Sequence, residues 1–464
     1  MAFKTFDRAI YAKIESTEGS SISPGDSNTS YIETVDPTYT VNRMGFDRNP
    51  TRKSITDVPQ EVCGTSVTVT GSTVEFSFGV ELTGSGTAGT APAWSPLLVA
   101  CGFNEIAVSW ADIDPTPAGT TAAPHLFHDR ESLSSHASYT TYNTLDCIGR
   151  CVSDTFAGVS GQNRKLFFNI TGGDGTGAVD TVTTSDLICG EVGGGEPRFT
   201  AASGQTNAGV AWVLIGRDSK KELGGGNTGS LTIRLVTDLT TGAYIEGTGC
   251  RGNVEFVFEA GNLVMMNYTF TGRLGDITDV GADNDAPVAA TMTTPPAMRG
   301  VSFDIQDSSF DSNSALEYDS SIFSTMSINM GNEITARTAT TPTSGYKPAY
   351  ITGRAPTMTF NPDAVTETNF AFWDQFLSGD VTRGELKVGS AVATGRFLFR
   401  MPAMQFSGIA DGNRDEVFVY DSTTNLTGGD YGSSIIVEHT SVSANSTQLS
   451  ERMGTNNEFF LFHY

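Results

Sequence analysis

Hydrophobic and polar residues alternate with a period of two along several stretches of the chain. Val74, Phe76, Phe78 and Val80 fall on one side of a pleated strand, with Glu75, Ser77 and Gly79 on the other. Val254, Phe256 and Phe258 repeat the pattern against Glu255 and Glu259, and so do VSFDIQD (301–307) and MSINM (326–330). One apolar and one polar side per strand predicts antiparallel sheets packed on a single face. Helical periodicity is rare. In 89–103, GTAPAWSPLLVACGF, Ser95 is placed to cap a helix and Pro96 to occupy its first position. Trp94 and Val99 can staple it and Gly102 can end it, with a start at Thr90 as the alternative. In 365–377, Phe370, Trp373, Phe376 and Leu377 recur at three- and four-residue steps. The first segment is apolar on most sides, which predicts a cover beyond its own sheet.

Both helical stretches follow a strand-like segment and carry a Trp, which suggests an internal duplication. The first half ends in 249–274, read as strand, turn, strand and the F-x-G of Phe270, Thr271 and Gly272. The second half ends in 394–409, read the same way up to Phe406, Ser407 and Gly408. The stretch 144–229 is Gly-rich and reads as an insertion into the first half, a small β module or a surface loop. The expected organisation is a first β domain from 1–143 and 230–285 and a second from 286–430. A C-terminal extension, 431–464, follows. DVGADNDAPV (279–288) is the expected linker, and the apolar NEFFLFHY at the end is expected to dock. The fold class is all-β, mainly two β-sandwich or barrel domains, each with a short flanking helix.

Composition narrows the function. The chain has 464 residues, 51 Gly and 18 Pro, and a net charge of −24. That charge argues against a groove gripping nucleic acid, which needs clustered Lys and Arg. The opening MAFKTFDRAIYAKIE has no apolar run of signal-peptide length, and no stretch approaches the roughly 18 apolar residues of a membrane span. A cytoplasmic product is expected, with no glycan at Asn169, Asn267, Asn425 or Asn445. In a reducing compartment, Cys63, Cys101, Cys147, Cys151, Cys189 and Cys250 are expected to be thiols. A zinc site from Cys147 and Cys151 would need Cys189 or Cys250 from far along the chain. His125, His128, Asp129, Glu131 and His136 could in chemistry bind a metal, but their spacing fits no helix face and reads as a solvated loop. DNDAP (283–287) offers oxygen ligands suited to calcium but reads equally as an acidic hinge. No nucleophile elbow or phosphate loop is present. No catalytic residue, metal site or cofactor is expected, and the chain does not read as an enzyme.

The segment VELTGSGTAGTAPAWSPLLVACGF (80–103) resembles a stretch of the tail tube proteins, or major tail proteins, of long, flexible-tailed bacteriophages. CRGNVEFVFEAGNLVMMNYTFTGRL (250–274), MSINMGNEI with ITGRAPTMTF, and AKIESTEGS (12–20) resemble further family segments in the same order. The resemblance spans most of the chain apart from about 144–229 and the last thirty or so residues. It implies a structural virion protein whose rings stack into a hollow tube, the inner sheets of neighbouring subunits joining into one lumen through which DNA passes without specific binding. It implies assembly in the host bacterial cytoplasm and a final place in the virion tail. The implied partners are further copies of the chain and other tail proteins (tape measure, tail terminator and tail tip), with no membrane. Two tube-type domains per chain favour a ring of three chains over six. Trp94, Leu97, Leu98 and Phe103, with Phe370, Trp373 and Phe376, are the subunit-interface candidates. The alternatives are a calcium- or sugar-binding cadherin- or immunoglobulin-like β module, a minor virion surface protein, and a metal hydrolase using His125 and His128.

Overall fold

A computed structural model describes residues 8–22, 31–48, 66–86, 91–109, 125–126, 147–151, 165–173, 182–191, 211–218, 229–237, 243–279, 294–299, 301–307, 322–340, 342, 344–389, 397–427 and 457–463. The chain is mainly β. Its first elements are β1 (Ala9–Ile14), β2 (Tyr31–Ile32), β3 (Val35–Arg48), β4 (Ser66–Glu81), α1 (Ser95–Ala100) and β5 (Asn104–Ser109). Then come β6 (His125–Leu126), β7 (Cys147–Cys151), β8 (Lys165–Gly173), β9 (Val182–Glu191) and β10 (Ala211–Asp218). β11 (Leu231–Val236), β12 (Ala243–Glu259), β13 (Met265–Asp279), β14 (Ser302–Asp307), β15 (Phe323–Asn329), β16 (Asn332–Thr335), β17 (Tyr350–Arg354) and β18 (Thr357–Pro362) follow. The last elements are α2 (Phe372–Ser378), β19 (Val381–Val388), β20 (Phe397–Arg414), β21 (Val417–Leu426) and β22 (Asn457–His463).

Sixteen strands belong to one sheet system. Two antiparallel paths organise it. The first runs β1–β11–β12–β13–β4–β3. The second runs β14–β19–β20–β21–β18–β15. The paths meet because β12 is long. One of its edges carries β13 along most of its length, while the other carries β11 beside 244–250 and then β15 beside 255–259. The alternating pattern of the sequence is what makes this junction. Val254, Phe256 and Phe258 are buried on one face, while Glu255 and Glu259 stand on the other.

The apolar faces meet in one core. Phe256 of β12 stacks near Phe459 of β22 at 5.4 Å and meets Phe399 of β20 edge-on at 5.5 Å. Phe303 of β14 lies across from Phe360 of β18 at 5.3 Å. Aromatic pairs in such stacked and edge-on geometries add to the burial of their area. The terminal NEFFLFH segment docks as expected. It forms β22 between β10 and β20, with Phe459 and Leu461 buried.

Several local expectations are corrected. Ser95 does not cap α1 through its side chain. Trp94 holds the N-cap, and its indole N–H donates instead to the Thr83 carbonyl at 2.8 Å. The second helix begins at Phe372 rather than near 365, because 367–369 form a turn, and it ends at Gly379 in the left-handed region at φ 71°. Residues 397–414 form one continuous strand, not strand, turn, strand, because its partner hairpin turn lies later, at Asp415 and Glu416. Phe270 and Phe406, paired by the F-x-G pattern, therefore lie on different kinds of strand. Gly272 has its own reason: a Cβ there would overlap the Cys250 sulfur.

Within 144–229 the backbone divides its allegiance. β7, β8 and β9 join β6 in a separate four-stranded sheet, whereas β10 pairs with β5 and β22 in the large one. The linker residues 280–288 lie outside the described residues, as do His128, Asp129, Glu131 and His136.

Candidate assembly surfaces

Eight strands run without interruption in the order β3–β4–β13–β12–β15–β18–β21–β20. One face of this run is the core. The other is polar. Across the junction it carries Glu75, Ser77 and Glu81 of β4, Asn267 and Thr269 of β13, and Glu255 and Glu259 of β12. It continues through Thr325 and Ser327 of β15, Thr359 of β18, and Asp421 and Thr423 of β21. Five of the positions just named are carboxylates, and none is Lys or Arg. A trough of about 470 Å³ lies on the junction itself, lined by parts of β12, β15, β18 and β21.

Among the described side chains of this surface, arginines stand at its ends. At one end, Arg251 pairs with Glu18 at 2.7 Å and Arg273 donates to the Gly19 carbonyl. Both contacts come from residues 15–20, the segment AKIESTEGS of the sequence pattern. Glu15 anchors that segment. Its carboxylate accepts from the Gly19 and Gly249 backbone N–H groups at 2.5 and 2.8 Å, and from the Ser230 and Thr232 hydroxyls at 2.5 and 2.9 Å. A buried carboxylate with four donors holds the arm on β11 and β12. At the other end, Arg414 pairs with Asp363.

The run ends on two edges. β3 pairs only with β4 among the described residues. β20 pairs with β19 through Gln405, and from there to Arg414 that edge has no partner strand among the described residues. Unpaired edges of this kind are templates for another strand.

The sequence candidates divide into two groups. Trp94, Leu97, Leu98 and Phe103 are buried inside the chain's own core, where α1 lies against β1, β5, β11 and β12. The cover that the apolar helix needs is thus supplied by its own chain. Phe370 is equally buried, Phe376 is half-buried, and Trp373 is exposed. Trp373 belongs to a surface cluster that the sequence pattern did not single out. Its indole N–H donates to the Tyr420 hydroxyl at 3.3 Å, and Phe418 packs on the same Tyr420 ring at 5.4 Å. The signal available in the sequence was the run VFVY at 417–420, four apolar residues beside a hairpin turn.

Among the described residues no group of three or more His, Cys, Asp or Glu is placed to hold a metal, and no helix is long and apolar enough to cross a membrane. Cys101 and Cys250 are buried and form no disulfide. Burial first, and then the Glu15 carboxylate, push the Cys250 thiol well above its usual range. Burial likewise raises the Tyr268 hydroxyl. Both shifts favour the neutral form in the folded state. The stability they represent is full below the ordinary thiol and phenol values and is lost as pH rises beyond them. In native protein at neutral pH, Cys101 and Cys250 are expected to resist iodoacetamide, and to react once the chain is unfolded in urea. Peptide-resolved mass spectrometry of the alkylated chain measures this, and rapid native labelling of Cys250 would contradict its burial.

No protein-family model matches the chain, and no curated protein matches it.

Proposed function

We propose that the chain is a structural subunit that assembles into rings, and that the rings stack into a hollow tube of the kind found in the tails of long, flexible-tailed bacteriophages. One observation carries this reading beyond the sequence resemblance. The eight-strand run presents a polar, carboxylate-bearing face whose arginines stand at its ends, and it finishes on two edges without a partner strand among the described residues. A sheet that is complete on its core face but open at both ends is suited to continue into copies of itself. Its polar face then lines the lumen. Carboxylates there repel the phosphates of a passing duplex, so DNA slides without being gripped. The partners in this reading are further copies of the chain, the tape measure, the terminator and tip proteins of the tail, and DNA in transit. Assembly takes place in the host cytoplasm, and the product resides in the virion tail. A ring of three chains, each giving two arcs of the lumen, is preferred to a ring of six.

Negative-stain microscopy of the purified chain, with native mass spectrometry, tests the proposal. Hollow tubes or rings of three are expected. Rings of six would keep the tube and remove the two-arc account. A monomer whose melting temperature rises on adding calcium would point to the binding-module alternative.

A further inference from the structure

The two six-strand paths share more than their order. With β2, β5 to β10, β16 and β17 set aside, both read in chain order as outer strand, edge strand, next strand, helix, then three strands in succession: β1, β3, β4, α1, β11, β12, β13 against β14, β15, β18, α2, β19, β20, β21. Both carry the same irregularity. Leu231 and Ile233 face Cys250 and Gly247, and Thr382 and Gly384 face Met404 and Met401, each an offset of one residue at the same place. The rows across the sheets can therefore be matched. Arg251–Thr271–Glu75–Thr40 is one row. Gln405–Asn425–Thr357–Asn329 is its counterpart. Thr40 thus corresponds to Asn329. Four residues along β13 and β21, Asn267 and Asp421 face Glu255 and Ala410, so Ala410 corresponds to Glu255.

The junction between the paths sets Asn329 opposite Glu255 and Ser327 opposite Val257. Among the described residues its counterpart is not made within one chain, where both strands that would make it have open edges. We propose that β3 of one copy pairs antiparallel with the 406–414 stretch of β20 in the next copy, in the register of the internal junction, placing Thr40 opposite Ala410 and Thr38 opposite Gly412. This rests on the tube reading and deepens it by naming the two edges that join.

A separate observation identifies the occupant. Tyr39 and Val41, on the core side of β3, are 38% and 39% exposed. Their counterparts Ile328 and Met330 are fully buried, because β12 lies beside them and the Met330 N–H donates to the Val254 carbonyl at 3.0 Å. Ile409, the counterpart of Val254, is only partly buried. A neighbouring β20 would cover Tyr39 and Val41 as β12 covers Ile328 and Met330.

The Met330 to Val254 bond also fixes which pairs exchange hydrogen bonds. Glu255 and Asn329 are then a non-hydrogen-bonded pair, with side chains at closest approach, and so by correspondence are Ala410 and Thr40. That geometry suits a disulfide. The test is the double variant Thr40→Cys, Ala410→Cys in assembled full-length protein, oxidised with copper phenanthroline and run without reductant. Crosslinked ladders are expected at least about tenfold above the parent chain and either single variant, since the paired Cβ atoms would lie within disulfide reach. The control pair Thr40→Cys, Asp421→Cys sits one strand further from the edge, about twice the strand spacing, and is expected to stay at the parent level. The length at which the ladder stops gives the number of chains in the ring. Rings that form without this crosslink would overturn the pairing and leave the tube standing. A chain that neither crosslinks nor forms rings would overturn both.

Discussion

Phe256→Ala is expected to destabilise the fold by about 3–5 kcal/mol, the range for truncating a fully buried aromatic ring. The size of the effect follows from where the ring sits. Phe256 is fully buried and belongs to β12, but its neighbours Phe399 and Phe459 belong to β20 and to the docked terminal strand. It lies one residue from the pair Glu255 and Asn329, at the point where the two strand paths become one sheet. Its removal leaves a void that rigid strands on both sides cannot close. Val257→Ala is the matched comparison. Val257 is next in the strand but faces the polar side and is only half-buried, so a loss below about 1.5 kcal/mol is expected. Urea titration followed by tryptophan fluorescence and circular dichroism measures both. Equal losses for the two variants would mean that the faces of β12 have been assigned the wrong way round.

That face assignment was legible in the sequence. The alternation of Val254, Phe256 and Phe258 with Glu255 and Glu259 requires no long-range information, because a strand turns successive side chains to opposite faces. The same local rule located β4, β14 and β15. Helix ends were less legible. The expected Ser95 cap was overridden because the Trp94 indole found the Thr83 carbonyl, 11 residues earlier in the chain. The second helix lost about its first two turns because 367–369 take a turn before Phe370 and Phe372 plunge into the core. Local propensity loses to tertiary packing in both places.

The long strands were the harder problem. FLFRMPAMQFSGI contains a Pro and small residues, which read locally as a turn. In the structure 397–414 run straight through, held by β19, β21 and β22 in succession. Only those partners, up to 66 residues away in the chain, make the segment one strand. The proposed assembly surface was illegible for a related reason. Apolar residues at helical spacing pointed to α1 as an interface, yet Trp94, Leu97 and Leu98 serve the chain's own core. The open edges carry no apolar signature. Around Tyr39 and Val41, β3 carries Thr38, Thr40, Asn42 and Arg43, and an edge is defined by hydrogen bonds that a strand does not make. What the sequence did hold was the suggestion of two similar halves. The F-x-G pair that suggested them lies on non-equivalent strands, and the stronger sign is the common order of pairing in the two paths.

Charge reversal on the polar face gives the second large effect, and it reports on function. In tubes assembled from Glu255→Lys, Glu259→Lys, Asp421→Lys protein, duplex DNA is expected to be retained, where tubes of the parent chain release it. Each chain moves by six charge units, and in the proposed tube every ring would repeat the change around the same passage. A few phosphate contacts per ring suffice to raise affinity by about 10³ or more at low salt, and the gain should collapse steeply as salt rises, because it comes from displaced counterions. Glu259 and Asp421 are exposed and Glu255 is half-buried, so the core packing beneath them is untouched. Their neighbours across the strands are Thr325, Ala410 and Asn329, none of them a salt-bridge partner that the lysines would strand. Co-sedimentation of tubes with labelled duplex at graded salt reads the outcome, and microscopy of the same samples checks that tubes form. Variant tubes that pass DNA as freely as the parent would place these carboxylates outside the lumen. The eight-strand face would then be an outer wall, and the lumen would have to be sought on a different surface of the chain.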